Sequence, residues 1–461
     1  MGVKKMSVYF KKGQKLLSIR IKRIGINGEG VANYKGKILF VRNALKGEIV
    51  DVRIETIEKT FATARIEKIK KKSKDRIIPP CKVYEQCGGC QLQHLNYQAQ
   101  LTFKKDLLAQ ALEKFKPNGY KEYQLLDTIG MDEPWKYRNK AQFQLGMYGK
   151  RIVAGLYEPN SHKLVEITDC LVQEAHTQAI INSVVELLNK YKVSLYDERK
   201  KTGVFRTLMV RHALQTGETQ LVFITGKNTF PHKNEILQEI RKKHPEIVSI
   251  MQNIQNKRSS EIFGEQTSLL WGKATIEEHI DEVVFDLSAR AFFQLNPVQT
   301  NILYKEGIKA LELEADDLVV DAYCGVGTIG LSLAKQAKEV RGMDVIKSAI
   351  DDAKKNAMRM ELANTHYEVG KAEILLPKWL NEGFQPTSII VDPPRVGLDD
   401  ALKQAILTNP PKKMVYISCN PSTLARDLVE LAKVYEIKYL QSVDMFPFTA
   451  RCEVVVKMKR K

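Results

Sequence analysis

From about Phe292 to its end the chain alternates short apolar runs with helical stretches, and this rhythm constrains the fold more than any other feature. The runs Leu318–Ala322, Glu339–Asp344, His366–Gly370, Ser388–Asp392, Lys413–Ser418, Ile437–Val443 and Glu453–Lys459 read as strands, with helices between most of them. Such alternation builds a parallel α/β sheet of Rossmann-like form, which binds ligands at the carboxyl ends of its strands.

Several of these strand ends carry chemistry. The first runs into Val319-Val-Asp-Ala-Tyr-Cys-Gly-Val-Gly-Thr-Ile-Gly330, where Gly325, Gly327 and Gly330 form G-x-G-x-x-G between a strand and a helix. Glycines there allow a tight turn and close approach of a ligand to the backbone. Asp344 ends the next strand, where a carboxylate can accept from both hydroxyls of a ribose; on these residues alone NAD and S-adenosylmethionine both stay open. Ile389-Ile-Val-Asp-Pro-Pro-Arg395 ends a strand in Asp392 and two prolines, which hold the carboxylate rigidly at the sheet top. A dehydrogenase has no evident need of that element, whereas a group-transfer site that orients a planar base has.

Met414-Val-Tyr-Ile-Ser-Cys-Asn-Pro421 sets Cys419 between a strand end and a helix start, with Asn420 as N-cap and Pro421 at the first helical position. The positive end of that helix favours thiolate, so Cys419 is a candidate nucleophile. Cys324, inside the glycine loop, has no acid–base partner and reads as packing. Glu453 closes the run Asp444-Met-Phe-Pro-Phe-Thr-Ala-Arg-Cys-Glu453 and opens the last apolar strand; a carboxylate shielded there can be a general base.

Residues from about Tyr9 to Lys68 hold the strand-like runs Leu16–Lys22, Lys37–Val41 and Glu48–Ile54, with turns at Asn27–Gly30, Lys35–Gly36 and Lys46–Gly47. Short strands with glycine turns in so small a span suggest a closed barrel of the OB type. Arg20, Lys22, Arg23, Arg42, Arg53 and Arg65 recur on it, and Lys68–Arg76 reads as a basic linker suited to phosphate contact. A helix is expected over about Asn96–Phe115. Ala141–Met147, Arg151–Tyr157, Thr207–Ala213 and Thr219–Thr225 read as strands, and Ile180–Tyr191 and Lys233–His244 as helices, which makes the middle α+β. The expected division is a barrel over 1–68, a central α+β domain over 69–285 and the α/β domain over 286–461, with the helix near 96–115 packed on the last.

Cys81-x5-Cys87-Gly-Gly-Cys90, with Cys170 far downstream, is a metal pattern. Four thiolates suit zinc or an iron–sulfur cluster, and the three-plus-one spacing favours [4Fe–4S] over zinc, whose structural sites more often use two close pairs. Lys plus Arg number 72 against 54 Asp plus Glu, a net charge of +18. That excess marks a polyanionic partner, nucleic acid ahead of a membrane surface, and no apolar run approaches the roughly 20 residues of a spanning helix. The seven cysteines fit a reducing cytoplasm better than a disulfide framework. Met1–Ser7 lacks the apolar stretch of a signal peptide, and Met6 stands where a myristoylation site carries Ser or Thr.

Six stretches in this order and spacing resemble the RNA uracil-5-methyltransferase family, in particular its members with an N-terminal TRAM barrel and an iron–sulfur cluster that modify 23S ribosomal RNA. They are Cys-x5-Cys-Gly-Gly-Cys, Phe292-Phe-Gln-Leu-Asn-Pro297, Asp321-Ala-Tyr-Cys-Gly-Val-Gly327, Asp392-Pro-Pro-Arg395, Ser418-Cys-Asn-Pro421 and Phe446-Pro-Phe-Thr-Ala-Arg-Cys-Glu453. The resemblance implies an S-adenosylmethionine-dependent methyltransferase domain with Cys419 as nucleophile and Glu453 as base. It implies cofactor contacts from Gln294, Tyr323, Gly325, Gly327, Asp344 and Asp392, and a [4Fe–4S] cluster on Cys81, Cys87, Cys90 and Cys170. The implied reaction is methylation of carbon 5 of a uridine in 23S ribosomal RNA through a covalent cysteine adduct at carbon 6. The implied partner is RNA, with no membrane and no obligate protein partner. Transfer RNA is the alternative substrate, and a non-catalytic RNA-binding protein the alternative of another class. Three positions depart from the family's pattern: Asp344 where Glu is common, Arg451 where His is usual, and Cys452 where an aliphatic residue usually adjoins the base.

Overall fold

Glycine turns cut the N-terminal region of the computed structural model, which describes residues 10–461, into six short strands. The reading of Met1–Ser7 lies outside the described residues. The strands are β1 (Lys15–Arg20), β2 (Arg23–Ile24), β3 (Gly30–Tyr34), β4 (Lys37–Arg42), β5 (Ile49–Ile57) and β6 (Phe61–Lys71). β1 and β2 are one strand bent at Ile21 and Lys22. Its first half pairs with β5, while the Lys22 amide donates to Val31 O (2.8 Å) and β2 pairs with β3, so the ladder closes into a barrel. Leu16, Leu39, Val41, Val50, Val52 and Ala64 fill it. The expected linker is shorter than its composition suggests. β6 runs to Lys71, paired Val50↔Ile69 and Ile49↔Lys71, because the backbone can pair while the lysine side chains face water.

Helix α1 (Tyr97–Phe115) is capped by Asn96, whose side chain accepts from the Ala99 amide. Leu108, Ala111 and Leu112 pack with Leu424 and Leu428 of the C-terminal domain, and β7 (Gln124–Leu125) joins that domain's sheet at its edge. Between them in sequence lies a seven-stranded sheet. Its strands are β8 (Lys140–Tyr148), β9 (Arg151–Tyr157), β10 (Leu164–Glu166), β11 (Phe205–His212), β12 (Thr219–Thr225), β13 (Ile247–Ile254) and β14 (Gln266–Gly272), in the order β10-β9-β8-β11-β12-β13-β14. Helices α2 (Ala175–Lys190) and α3 (Lys233–Lys243) share its core through Ile180, Val184, Leu188, Ile236 and Ile240. A hairpin, β15 (Thr275–Ile280) and β16 (Val283–Ser288), leads to the C-terminal domain.

That domain runs α4 (Pro297–Leu311), β17 (Leu318–Ala322), α5 (Thr328–Ala334), β18 (Glu339–Asp344), α6 (Lys347–Arg359), β19 (Thr365–Val369) and α7 (Ala372–Asn381). It continues with β20 (Ser388–Val391), α8 (Asp400–Thr408), β21 (Lys413–Ser418), α9 (Pro421–Val434), β22 (Tyr435–Val443) and β23 (Glu453–Arg460). The strand order is β19-β18-β17-β20-β21-β23-β22-β7. The sheet is mixed, not wholly parallel as expected. β23 inserts antiparallel between β21 and β22. The physical reason is the connection: Asp444–Cys452 holds no helix and is too short for a parallel crossover, so the chain must reverse direction. Among the described residues no helix is long and apolar enough to cross a membrane.

Candidate active site

The reversal of β23 decides where the two most reactive side chains stand. β21 and β23 are in register with Ser418 opposite Val454 and Ile417 opposite Val455. Carrying that register one pair further sets Cys419 opposite Glu453 at the sheet edge. Residues so opposed have Cα atoms about 4.5–5.5 Å apart. The carboxyl ends of β17, β18 and β20 open on the same edge, so Tyr323, Gly325, Asp344, Asp392, Cys419 and Glu453 all line one cleft, together with Gln294.

The glycine loop leaves room for a ligand. Tyr323, Gly325 and Gly327 have φ of 68°, 56° and 83°. A Cβ on Gly325 would meet nothing within 4 Å, whereas one on Gly327 would lie 3.0 Å from the Tyr367 hydroxyl. Gly325 therefore faces open space and Gly327 faces protein. Asp344 does more than end a strand. Its Oδ2 accepts from the Gly325 amide (3.1 Å) and its Oδ1 from the Ile346 amide (2.9 Å), which ties the loop to β18 and leaves one lone pair on each oxygen. Below it, Asp321 Oδ2 accepts from the Gly330 amide (2.8 Å), and burial pushes that carboxyl up to about 8. Open space at Gly325 beside a carboxylate with free lone pairs makes a cradle that an adenosyl ligand would fit.

The protonation state corrects one expectation. Asn420 does cap α9, with its side chain accepting from the Ser422 amide (3.1 Å), and Pro421 opens the helix. Yet the Cys419 thiol is pushed up to about 12, first by burial and then by the Glu453 and Asp392 carboxylates; Arg395 acts in the other direction. Burial and two acids outweigh one helix end. Burial raises Asp392 to about 7, and lifts Glu453 well above the usual carboxylate range, with Asp392 adding and Arg395 and Lys104 opposing. Burial thus favours protons on sulfur and carboxyl, and one arginine opposes it at both.

The loop Asp444–Cys452 is braced from α1. Gln100 and Lys104, one helical turn apart, are both buried. Gln100 Oε1 accepts from the Phe448 amide (2.9 Å), while Lys104 Nζ pairs with Asp444 and donates to Phe446 O (3.1 Å). Cys452, unusual for the family, is buried with its sulfur 3.7 Å from Lys104 O; Arg451 is exposed. Lys104 went unnoticed in the sequence. The visible signal was a cation on a helix face otherwise made of Phe103, Leu107, Leu108 and Ala111. Arg395 was quoted only as part of a motif. Phe292, 70% exposed at the cleft, was likewise given no role.

The four cluster cysteines come together. Burial raises Cys90 to about 12, with the nearby Cys170, Cys87 and Cys81 adding to it, and burial raises Cys87 and Cys170 in the same way. Gly89 N donates to Cys87 Sγ (3.3 Å), a contact suited to a thiolate. The donor set is four cysteines, which suits zinc or a [4Fe–4S] cluster. The cysteine loop also touches the catalytic edge: the Gln91 and Leu92 amides both donate to Phe448 O (3.0 and 2.9 Å), and Trp135 stacks on the Phe448 ring at 3.6 Å between centroids.

Comparison with known proteins places this geometry. The family described as tRNA (uracil-5-)-methyltransferase matches residues 96–461, and the TRAM domain matches residues 11–66. A protein of Enterococcus faecalis described as an uncharacterized RNA methyltransferase is 62% identical over 98% of this chain and 99% of its own length. One of Streptococcus agalactiae with the same description is 53% identical over 96% of this chain and 98% of its own. Among solved structures, Pyrococcus abyssi tRNA (uracil-54, C5)-methyltransferase in complex with S-adenosyl-L-homocysteine is 27% identical, with a TM-score of 0.76 over 96% of this chain and 100% of that one.

Proposed function

Because the chain belongs to the tRNA (uracil-5-)-methyltransferase family, we propose that it methylates carbon 5 of a uridine in RNA, with Cys419 as nucleophile and Glu453 as base. The observation that carries these roles is the β21–β23 register, which opposes the two residues at the cofactor cleft. Gln294, Tyr323, Gly325, Asp344 and Asp392 form the S-adenosylmethionine site in this reading, and Gly327, turned toward Tyr367, shapes the loop from behind. That molecule supplies an electrophilic methyl group and a positive charge that favours ionisation of the acids around it.

Carbon 5 of uracil is a weak nucleophile. The Cys419 thiolate bonds to carbon 6, and the displaced π pair makes carbon 5 an enolate carbon. Carbon 5 takes the methyl group, and the old methyl–sulfur bond breaks to leave a neutral thioether. Glu453 removes the carbon-5 proton, the carbon 5–carbon 6 double bond re-forms, and the Cys419 thiolate leaves. Covalent catalysis divides one hard step into easier ones. Arg395, which faces both groups, favours their anions. The reacting atoms are inside the ring, so the base must leave its stack to enter the cleft. The barrel and the net charge of +18 provide the grip on surrounding RNA. Cys81, Cys87, Cys90 and Cys170 would hold a structural [4Fe–4S] cluster.

The substrate proposed first is 23S ribosomal RNA, on the barrel and four-cysteine pattern. Transfer RNA is the second, favoured by the family's description and the Pyrococcus abyssi neighbour. Labelled methyl transfer to unmodified transcripts of each separates them. Cys419→Ala should abolish transfer while S-adenosylmethionine still binds, and Glu453→Gln should accumulate an RNA–protein adduct stable on denaturing gels. Turnover by Cys419→Ala, or no adduct with Glu453→Gln, would overturn the assigned roles.

A further inference from the structure

A second cluster of metal-ligating side chains lies on the central sheet, outside the cleft and the four thiols. Glu174 caps α2, His176 is in its first turn, and His212 ends β11. One ligand atom from each of Glu174, His176 and His212 falls within 4.8 Å of the others. Glu174 Oε1 is 2.8 Å from His176 Nδ1, and the two imidazole rings stack at 4.8 Å between centroids.

Two of the three have a contact that fixes one atom and turns another to the cluster. Glu174 Oε2 accepts from the Thr177 amide (3.1 Å) as the helix cap, which leaves Oε1, paired with His176 Nδ1, on the side of the cluster. His212 is buried, and its Nδ1 lies 2.8 Å from Oγ1 of the buried Thr219, which leaves Nε2. A metal-bound histidine usually has its other ring nitrogen fixed in this way. His176, with 58% of its side chain exposed, can swing to complete the set. We propose that Glu174, His176 and His212 bind one divalent transition cation of the zinc class. Two imidazoles and one carboxylate suit zinc, whereas calcium and magnesium require mostly oxygen. Ligand bonds near 2.0–2.1 Å need donor atoms about 3.4 Å apart, so Glu174 Oε1 and His176 Nδ1, 2.8 Å apart, must separate slightly as the exposed imidazole turns to face the ion.

The site would clamp the start of α2 to the end of β11, beside the start of β12. That corner matters to the rest of the molecule. The Glu174 amide donates to Arg138 O (3.0 Å), Cys170 precedes it in the same loop, and the Asn139 amide reaches Leu295 O (2.9 Å), next to Gln294. The bound ion would hold the Cys170 loop and the cleft floor in one frame.

The test is zinc titration of the cluster-loaded protein against a chromophoric chelator. Wild type should bind one zinc. His176→Ala should weaken it by at least about 100-fold, and Thr219→Val, which touches no metal, by about 10- to 100-fold. Cobalt(II) at the same site should show no sulfur-to-cobalt charge-transfer band. Equal zinc affinity in wild type and His176→Ala, absence of binding at micromolar zinc, or a sulfur charge-transfer band from the titrated site would each overturn the proposal. Unchanged circular dichroism of His176→Ala confirms that its loss of binding is local.

Discussion

Replacing Lys104 with methionine removes the cation from a fully buried pair. Both side chains have no exposed surface, and the pair joins α1 to the first residue of the catalytic loop. The magnitude follows from what is left behind. Asp444 would be left in the core with no counter-ion, and its Oδ2 already has no hydrogen-bond partner. Breaking a buried pair from one side costs about 3–5 kcal/mol. Loss of the Lys104 bond to Phe446 O adds about 1 kcal/mol. Lys104→Met/Asp444→Leu removes both charges and should return to within about 1–2 kcal/mol of wild type, because the desolvation of each ion disappears with it. A chain with several cores does not unfold in two states, so the readout is hydrogen exchange of α1 and β22 amides, supported by urea midpoints. On these numbers the double variant should fall short of the sum of the two singles by at least about 5 kcal/mol. In activity, kcat should fall while the KM for S-adenosylmethionine holds, since the brace acts on the loop that ends in Glu453 and not on the glycine loop. A single-variant cost below about 1 kcal/mol, or a double variant costing the sum of the two singles, would refute the reasoning.

The single-turnover rate should climb with pH between 6.5 and 8.5, because the Cys419 thiol and the Glu453 carboxyl are both held above their ordinary values and both must ionise; a flat or falling profile contradicts this. His94, buried with Nδ1 2.6 Å from the Tyr84 hydroxyl, is pushed down to about 4 by burial. The unfolded chain therefore takes up a proton near 6.5 that the folded one refuses, so stability is full above that value and is lost as pH falls toward 4. Between pH 6.5 and 5 the loss should reach about 2 kcal/mol, and a His94→Asn variant, measured by hydrogen exchange of its loop, should lose less; parallel losses would rule it out. Cys87→Ser should reduce kcat without weakening S-adenosylmethionine binding, because the cysteine loop holds Phe448 O through Gln91 and Leu92, in the loop that leads to Glu453. Calorimetric titration of the variant with S-adenosylmethionine checks this, and a weakened affinity would contradict it.

The C-terminal strands were legible because each is a short apolar run punctuated by Asp, Gly or Pro. β17, β18 and β21 have the bounds read from sequence, as do β9 and β12. The helix at α1 was legible from its apolar face, but its buried Lys104 was not. A cation on that face has meaning only once Asp444, far away in the chain, arrives to meet it. β13 escaped because Ser249, Gln252 and Asn253 look like loop residues; the fold buries them with hydrogen bonds, such as Asn253 Nδ2 to Gly264 O (3.0 Å) and Gln252 Nε2 to Thr225 Oγ1 (2.8 Å). The basic tail of β6 escaped for a related reason, since composition describes side chains while pairing is a property of backbone.

The reactive thiol, the carboxylates, the glycine turn and the four cysteines with their order were set by the sequence alone, because residue chemistry and local turn geometry travel with the chain. Strand direction does not. An apolar run is equally content parallel or antiparallel, and only the short return from β22 forces β23 to reverse and slide between its neighbours. That insertion brings Glu453 across from Cys419, and the burial it creates, rather than the helix end beside the sulfur, sets where the protons rest.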